Sequence, residues 1–139
     1  IRLAGSSPLY ETAPVGPPQP PYLNAVVALD TELAPGALLA FLLQLEDSAG
    51  RQRGGARWAA RCLDLDLLLY ADAALREPGL ELPHPRLHQR AFVLEPLCQL
   101  APALLHPVLG EPIASLAERV RDPSGVRPWP CARWEAARV

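Results

Sequence analysis

Leu23, Ala25, Val27 and Leu29 follow a period of two, and apolar residues recur at helical spacing further on. Ile1 to Thr12 has strand character, with Leu9 and Tyr10 running toward a turn. Pro14 to Pro21 (Pro-Val-Gly-Pro-Pro-Gln-Pro-Pro) excludes helix and central strand. It predicts a stiff connector of polyproline II character, either a rigid hairpin connection or a loop bordering a ligand site. Tyr22 to Asp30 predicts one strand, with Leu23, Ala25, Val27 and Leu29 on one face and Tyr22, Asn24, Val26 and Ala28 on the other. Ala34-Pro35-Gly36 opens a helix, with Pro in the first turn where its missing N–H costs little. Leu38, Leu39, Leu42 and Leu45 recur at helical spacing, and Gly50 ends the run. After a polar loop over 51–61, Leu63 to Tyr70 predicts a strand and Ala71-Asp72 a turn. Leu80 to Leu82 is extended, helical pieces follow at Phe92–Leu100 and Ile113–Val120, and the tail after Asp122 is irregular.

Composition narrows the class. A chain of 139 residues fits one globular unit, taken here as a domain over residues 1–121 followed by an irregular tail over 122–139. With 50% hydrophobic and 20% charged residues it is neither disordered nor a polyelectrolyte. The net charge of −2 supplies no global field toward nucleic acid or membrane, so phosphate binding needs a local cluster. All 13 basic residues are Arg, and there is no Met. The chain opens at Ile1 inside an apolar run, which reads as a fragment without its natural N-terminus. Cys62, Cys98 and Cys131 are odd in number and widely spaced, matching neither a disulfide framework nor a zinc knuckle. Free thiols in a reducing cytoplasm account for them. The longest apolar run, Ala37 to Leu43, is far below the ~20 residues of a bilayer span.

Two adjacent clusters carry chemistry. Arg51, Arg53, Arg57 and Arg61 fall between residues 51 and 61 with no acid among them. Guanidinium forks bind phosphate oxygens in pairs, Gly54-Gly55 lets the backbone bend around such a ligand, and Trp58 suits a lid. Directly afterwards, strand alternation in Leu63-Asp-Leu-Asp-Leu67 puts Asp64 and Asp66 on one face, their roots about 6.6–6.8 Å apart. Mg²⁺ commonly takes one or two carboxylates and completes its shell with water and phosphate oxygens. Leu82 to Phe92 adds His84, Arg86, His88 and Arg90 as a second phosphate-contacting patch, whereas His106 between Leu105 and Pro107 reads as structural.

These stretches together resemble the 6-hydroxymethyl-7,8-dihydropterin pyrophosphokinase family of the folate pathway. The likeness runs through Ser6 to Pro17, Tyr22 to Val27, Arg57 to Asp66 and Leu82 to Phe92. It implies an α+β fold, a ferredoxin-like α/β sandwich with a mostly antiparallel sheet under helices, here N-terminally incomplete because the family's first strand and long helix have no counterpart. It implies transfer of a pyrophosphoryl group from ATP to the pterin hydroxymethyl oxygen, giving AMP. Asp64 and Asp66 would hold two Mg²⁺ ions; Arg51 and Arg53 would lie on a mobile catalytic loop. Arg61, His84 and Arg90 would contact the triphosphate, and Glu46 would be an ATP-side helix residue. The pterin would meet Asn24 through hydrogen bonds, Tyr22 and Phe92 by stacking, Thr12 and Val15 from the Pro-rich loop, and Trp58 as a lid. Small molecules are the expected partners, without nucleic acid or membrane. The chain would act as a cytoplasmic monomer, alone or fused to a folate-pathway neighbour.

Two other readings remain open at this level. A Mg²⁺-dependent nucleotidyl transferase with a palm-like sheet also places two Asp on a strand. A non-catalytic relative would retain phosphate binding alone.

Overall fold

Pro8 has no N–H to offer a ladder, and the pairing of the first strands turns on it. The computed structural model describes residues 1–13, 22–50, 63–131, 134 and 136. In chain order the elements are β1 (Arg2–Ser6), β2 (Tyr10–Thr12), β3 (Tyr22–Asn24), β4 (Val27–Asp30), α1 (Pro35–Gly50), β5 (Leu75–Glu77), β6 (Leu80–Leu82), α2 (Ala91–Leu100), α3 (Ile113–Val120) and β7 (Val126–Pro128). They fall into two compact units, one of residues 1–31 with 85–139 and one of residues 32–84. Helices and antiparallel strands make the chain α+β.

In the first unit β1 pairs with β4 and β2 with β3, both antiparallel. Between the two ladders Ser7 N donates to Val26 O at 2.8 Å, and Val26 N donates to Ser7 Oγ at 2.9 Å. Tyr10 then pairs with Asn24, so Pro8 and Leu9 together face Ala25. Two residues against one is a bulge. The single strand expected over Tyr22–Asp30 is therefore two strands in separate sheets. The break is dictated by the opposite strand, where a proline stands and a serine hydroxyl replaces a ladder acceptor.

The tail also departs from expectation. Val126–Pro128, placed in the irregular segment, forms β7 on the other side of β2. Trp129 N donates to Leu9 O at 2.8 Å and Trp134 Nε1 to Ser7 O at 2.7 Å, so this segment satisfies carbonyls on both sides of Pro8. α2 packs on β2, β3 and β7 and also against α3. Leu87, Leu94 and Ile113 are fully buried in this core, with Leu97, Leu100, Leu116, Ala117, Tyr10 and Val126 around them. Arg121 Nε donates to Glu95 Oε1 at 2.8 Å, tying the end of α3 to α2.

His106 organises the turn between α2 and α3. Its ring is buried, and its Nδ1 accepts N–H bonds from Val108 at 3.2 Å and Leu109 at 3.0 Å. His106 N donates to Glu111 O, and Gly110 N to His106 O, closing the loop with Gly110 at φ +70. With two donors aimed at Nδ1, the neutral ring carries its proton on Nε2.

The second unit holds α1 and the β5–β6 hairpin. α1 begins where Leu38 N donates to Ala34 O, leaving Pro35 where no donor is required. Of its expected apolar stripe Leu38 and Leu42 are buried, while Leu45 is 40% exposed. The hairpin turns on Pro78-Gly79, Gly79 at φ +78 meeting the positive φ that a type II turn requires at that position. Leu63–Tyr70, expected as a strand, pairs with no strand among the described residues. Alternation made it extended, but a ladder also needs a neighbour. The segment is held by two backbone tethers and one side chain instead: Leu65 N donates to Glu46 Oε2 at 2.6 Å, His84 N to Leu68 O at 2.8 Å, and the Tyr70 hydroxyl to Leu33 O at 2.7 Å. No helix among the described residues is long and apolar enough to cross a membrane.

Burial, then the neighbouring His88, pushes the His106 pKa below its ordinary 6.5. The unfolded chain therefore takes up this proton first as pH falls. The stability contributed by neutral His106 is complete above about pH 6.5 and declines below it by up to ~1.4 kcal/mol per pH unit until the folded value is passed. Urea unfolding at pH 7.5, 6.5 and 5.5 should show this fall in the native chain. His106→Asn, whose side-chain oxygen still accepts from the turn, should show a flatter profile across the same interval.

Candidate functional site

Antiparallel register assembles the first group of side chains. Tyr10 lies opposite Asn24 and Thr12 opposite Tyr22, so all four belong to one face of the β2–β3 pair. Asn24 Nδ2 donates to Thr12 Oγ1 at 2.5 Å along the diagonal, which orients the amide. Tyr10 is buried at one end of this face, whereas Tyr22 is 55% exposed at the other. Burial first, and then Glu95, pushes the Tyr10 phenol up, so that it stays neutral. An amide held by a hydroxyl beside an exposed ring suits a flat, hydrogen-bonding heterocycle.

α2 packs against these strands and carries Phe92 in its first turn. Arg90, just ahead of the helix, places its guanidinium carbon 5.4 Å from the Phe92 ring centroid. That is within cation–π range, so the two residues expected to serve triphosphate and pterin separately are in contact with each other.

The second unit brings together Glu46, Asp64, Asp66 and His84 around the tethered segment. Asp64 and Asp66 are exposed while Leu65 between them is half-buried. The Glu46 carboxylate receives the Leu65 amide, and the His84 backbone is joined to Leu68 three residues further on. Two solvent-exposed carboxylates are hard oxygen donors with room for water and phosphate oxygens, and this donor set fits Mg²⁺. No group of three His, Cys, Asp or Glu side chains among the described residues converges to hold a metal. A cation held at two carboxylates alone would need its remaining ligands from water or phosphate oxygens.

Val15, Arg51, Arg53, Arg57, Trp58 and Arg61 lie outside the described residues. The sequence reading missed the use of Glu46 as a backbone acceptor and the use of Ser7 as the join between two ladders. A signal existed for Glu46: Leu38, Leu42 and Glu46 follow one another at intervals of four, so a carboxylate continues the buried stripe of α1.

Comparison with known proteins locates this arrangement. Residues 1–102 match the family model described as 7,8-dihydro-6-hydroxymethylpterin-pyrophosphokinase. The chain is 42% identical over 132 residues to a 2-amino-4-hydroxy-6-hydroxymethyldihydropteridine pyrophosphokinase of Synechocystis sp., covering 95% of this chain and 66% of the relative. It is 50% identical over 107 residues to the protein of the same name from Pseudomonas aeruginosa, covering 76% and 65% respectively. The "Folic acid synthesis protein fol1" of Schizosaccharomyces pombe is 37% identical over 128 residues, covering 91% of this chain and 17% of that larger protein. The chain spans just under two thirds of the length of the first two relatives. With a family match across residues 1–102 and these identities, the chain belongs to the 7,8-dihydro-6-hydroxymethylpterin-pyrophosphokinase family.

Proposed function

We propose that this chain transfers a pyrophosphoryl group from ATP to 6-hydroxymethyl-7,8-dihydropterin, yielding AMP and the pterin diphosphate. The observation that carries the reading is the Asp64/Asp66 pair, exposed on both sides of a tethered amide inside the stretch that matches the family. The hydroxymethyl oxygen attacks the β-phosphorus, a new oxygen–phosphorus bond forms, and the bond from that phosphorus to the α–β bridging oxygen breaks. AMP leaves with the bridging oxygen, and the hydroxyl proton is released.

Asp64 and Asp66 would hold two Mg²⁺ ions, whose charge offsets that of the phosphates and favours deprotonation of the attacking hydroxyl. His84 and Arg90 would contact the triphosphate, with Arg51, Arg53 and Arg61 adding the cationic charge that the rest of a net-negative chain lacks. Thr12 and Asn24 would fix the pterin edge; Tyr22 and Phe92 would stack on it, with Val15 and Trp58 closing around the ring. Arg90 resting on Phe92 supports a link between pterin stacking and phosphate contact. The same reading carries a ferredoxin-like sandwich as the fold and a cytoplasmic monomer as the working form, without nucleic acid or membrane. Fusion to a folate-pathway neighbour is supported by the larger yeast relative, of which this chain matches 17%.

Asp64→Asn combined with Asp66→Asn should lower AMP release at least about a thousandfold, since such metal terms are worth several kcal/mol. Metal-free binding of a fluorescent ATP should survive in the same protein, because the arginines are untouched. Near-normal turnover in the double variant would sink the assignment. Thr12→Val should raise the pterin KM by about 2- to 12-fold, the worth of one ordinary hydrogen bond, while the ATP KM stays put. Steady-state kinetics with each substrate varied in turn separates the two.

A further inference from the structure

We propose that Glu46 is a positioning residue, whose carboxylate holds the Leu65 amide and so fixes the backbone from which Asp64 and Asp66 project. The inference rests on the pyrophosphokinase reading above, in which that Asp pair binds metal. It differs from the ATP-side contact that the family resemblance implies for Glu46.

Four observations converge on it. Leu65 N donates to Glu46 Oε2 at 2.6 Å, a charge-assisted bond shorter than an ordinary amide–carbonyl contact. The amide that Glu46 takes belongs to the one residue lying between the two carboxylates. The segment has no strand beside it among the described residues, and the other tethers given above attach further along, at Leu68 and Tyr70. Finally, Glu46 follows Leu38 and Leu42 at intervals of four and is itself half-buried, so it occupies the inward stripe of α1. A carboxylate there costs desolvation, and a third acid close to two others costs repulsion. An N–H donor accepted at short range offsets both. Outer partners of this kind set how well metal-binding side chains are presented, typically 10- to 100-fold in affinity.

The test reads metal binding without turnover. Mn²⁺ affinity is measured by electron paramagnetic resonance in the presence of α,β-methylene-ATP, on the full-length protein and on Glu46→Ala, Glu46→Asp and Glu46→Gln. Glu46→Gln keeps a carbonyl oxygen at the same reach and should stay within about threefold of the native affinity. Glu46→Asp keeps the charge but is one methylene short, and should lose about 10- to 100-fold, as should Glu46→Ala. Metal-free nucleotide affinity should be the same in all four proteins. Hydrogen exchange at the Leu65 amide should quicken in the Asp and Ala variants while the Leu94 amide keeps its protection; general loss of protection in both would overturn the proposal. Should the Ala variant fail to fold, the Asp–Gln contrast decides. A native-like Asp variant beside a weakened Gln variant overturns the proposal in favour of a charge effect, and metal-free nucleotide binding lost in step overturns it in favour of a direct contact. Asp64→Asn with Asp66→Asn runs alongside: unchanged Mn²⁺ affinity there overturns the metal reading itself, whereas its loss with native-like Glu46 variants overturns only the role of Glu46.

Discussion

Backbone groups withdrawn from water must be hydrogen-bonded, and where a ladder is interrupted some other group has to serve. In each unit of this chain a polar side chain takes up part of that obligation. Ser7, fully buried, accepts the Val26 amide at its hydroxyl and donates the same hydroxyl to Pro8 O. Its own amide and carbonyl go to Val26 and to the Trp134 indole. Glu46 does the corresponding work for Leu65, in a segment with no partner strand among the described residues. Both places border side chains assigned to chemistry: the β2–β3 face follows the bulge at Pro8, and the Asp pair flanks Leu65.

The groups proposed for the ring and those proposed for cations and phosphate fall mostly in different units, with Arg90 and Trp58 as exceptions. Residues 1–31 with 85–139 contain the amide, hydroxyl and aromatic groups suited to a ring: Asn24, Thr12, Tyr22 and Phe92. Residues 32–84 contain Glu46, Asp64, Asp66 and His84, suited to cations and phosphate. Each set is ordered by bonds inside its own unit: a diagonal side-chain pair across β2 and β3 in one, and side-chain and backbone tethers to an extended segment in the other.

Local signals in the sequence were readable wherever the structure obeys local rules. Pro35 opens α1, and α3 spans Ile113–Val120 as its periodicity predicts, because a first-turn proline and helical spacing depend only on neighbours along the chain. Asp64 and Asp66 were readable as an exposed pair from alternation alone. What was not readable depends on residues far away in sequence. The break in Tyr22–Asp30 is caused by Pro8, and whether Leu63–Tyr70 finds a partner strand, which it does not among the described residues, depends on what lies beside it. β7 forms because β2 has an edge to fill, not because Val-Arg-Pro favours a strand. At the site, alternation places Tyr22 and Asn24 on one face and Thr12 enters only through the family resemblance, but the Thr12–Asn24 bond follows from the β2–β3 register. Glu46 enters only through the family resemblance, as an ATP-side residue, while its partner, a backbone amide, has no signature in sequence.

The two units differ in one way that matters while the polypeptide is being made. Residues 32–84 form a contiguous unit, whereas residues 1–31 belong with 85–139. The ribosome delivers residues at about 5–20 per second, N-terminal first. The β1–β4 and β2–β3 ladders can close early, but the edge of β2 and the carbonyls of Ser7 and Leu9 receive their partners only when residues 126–134 emerge. For several seconds the nascent chain carries an open strand edge, the kind of surface that holdase chaperones cover.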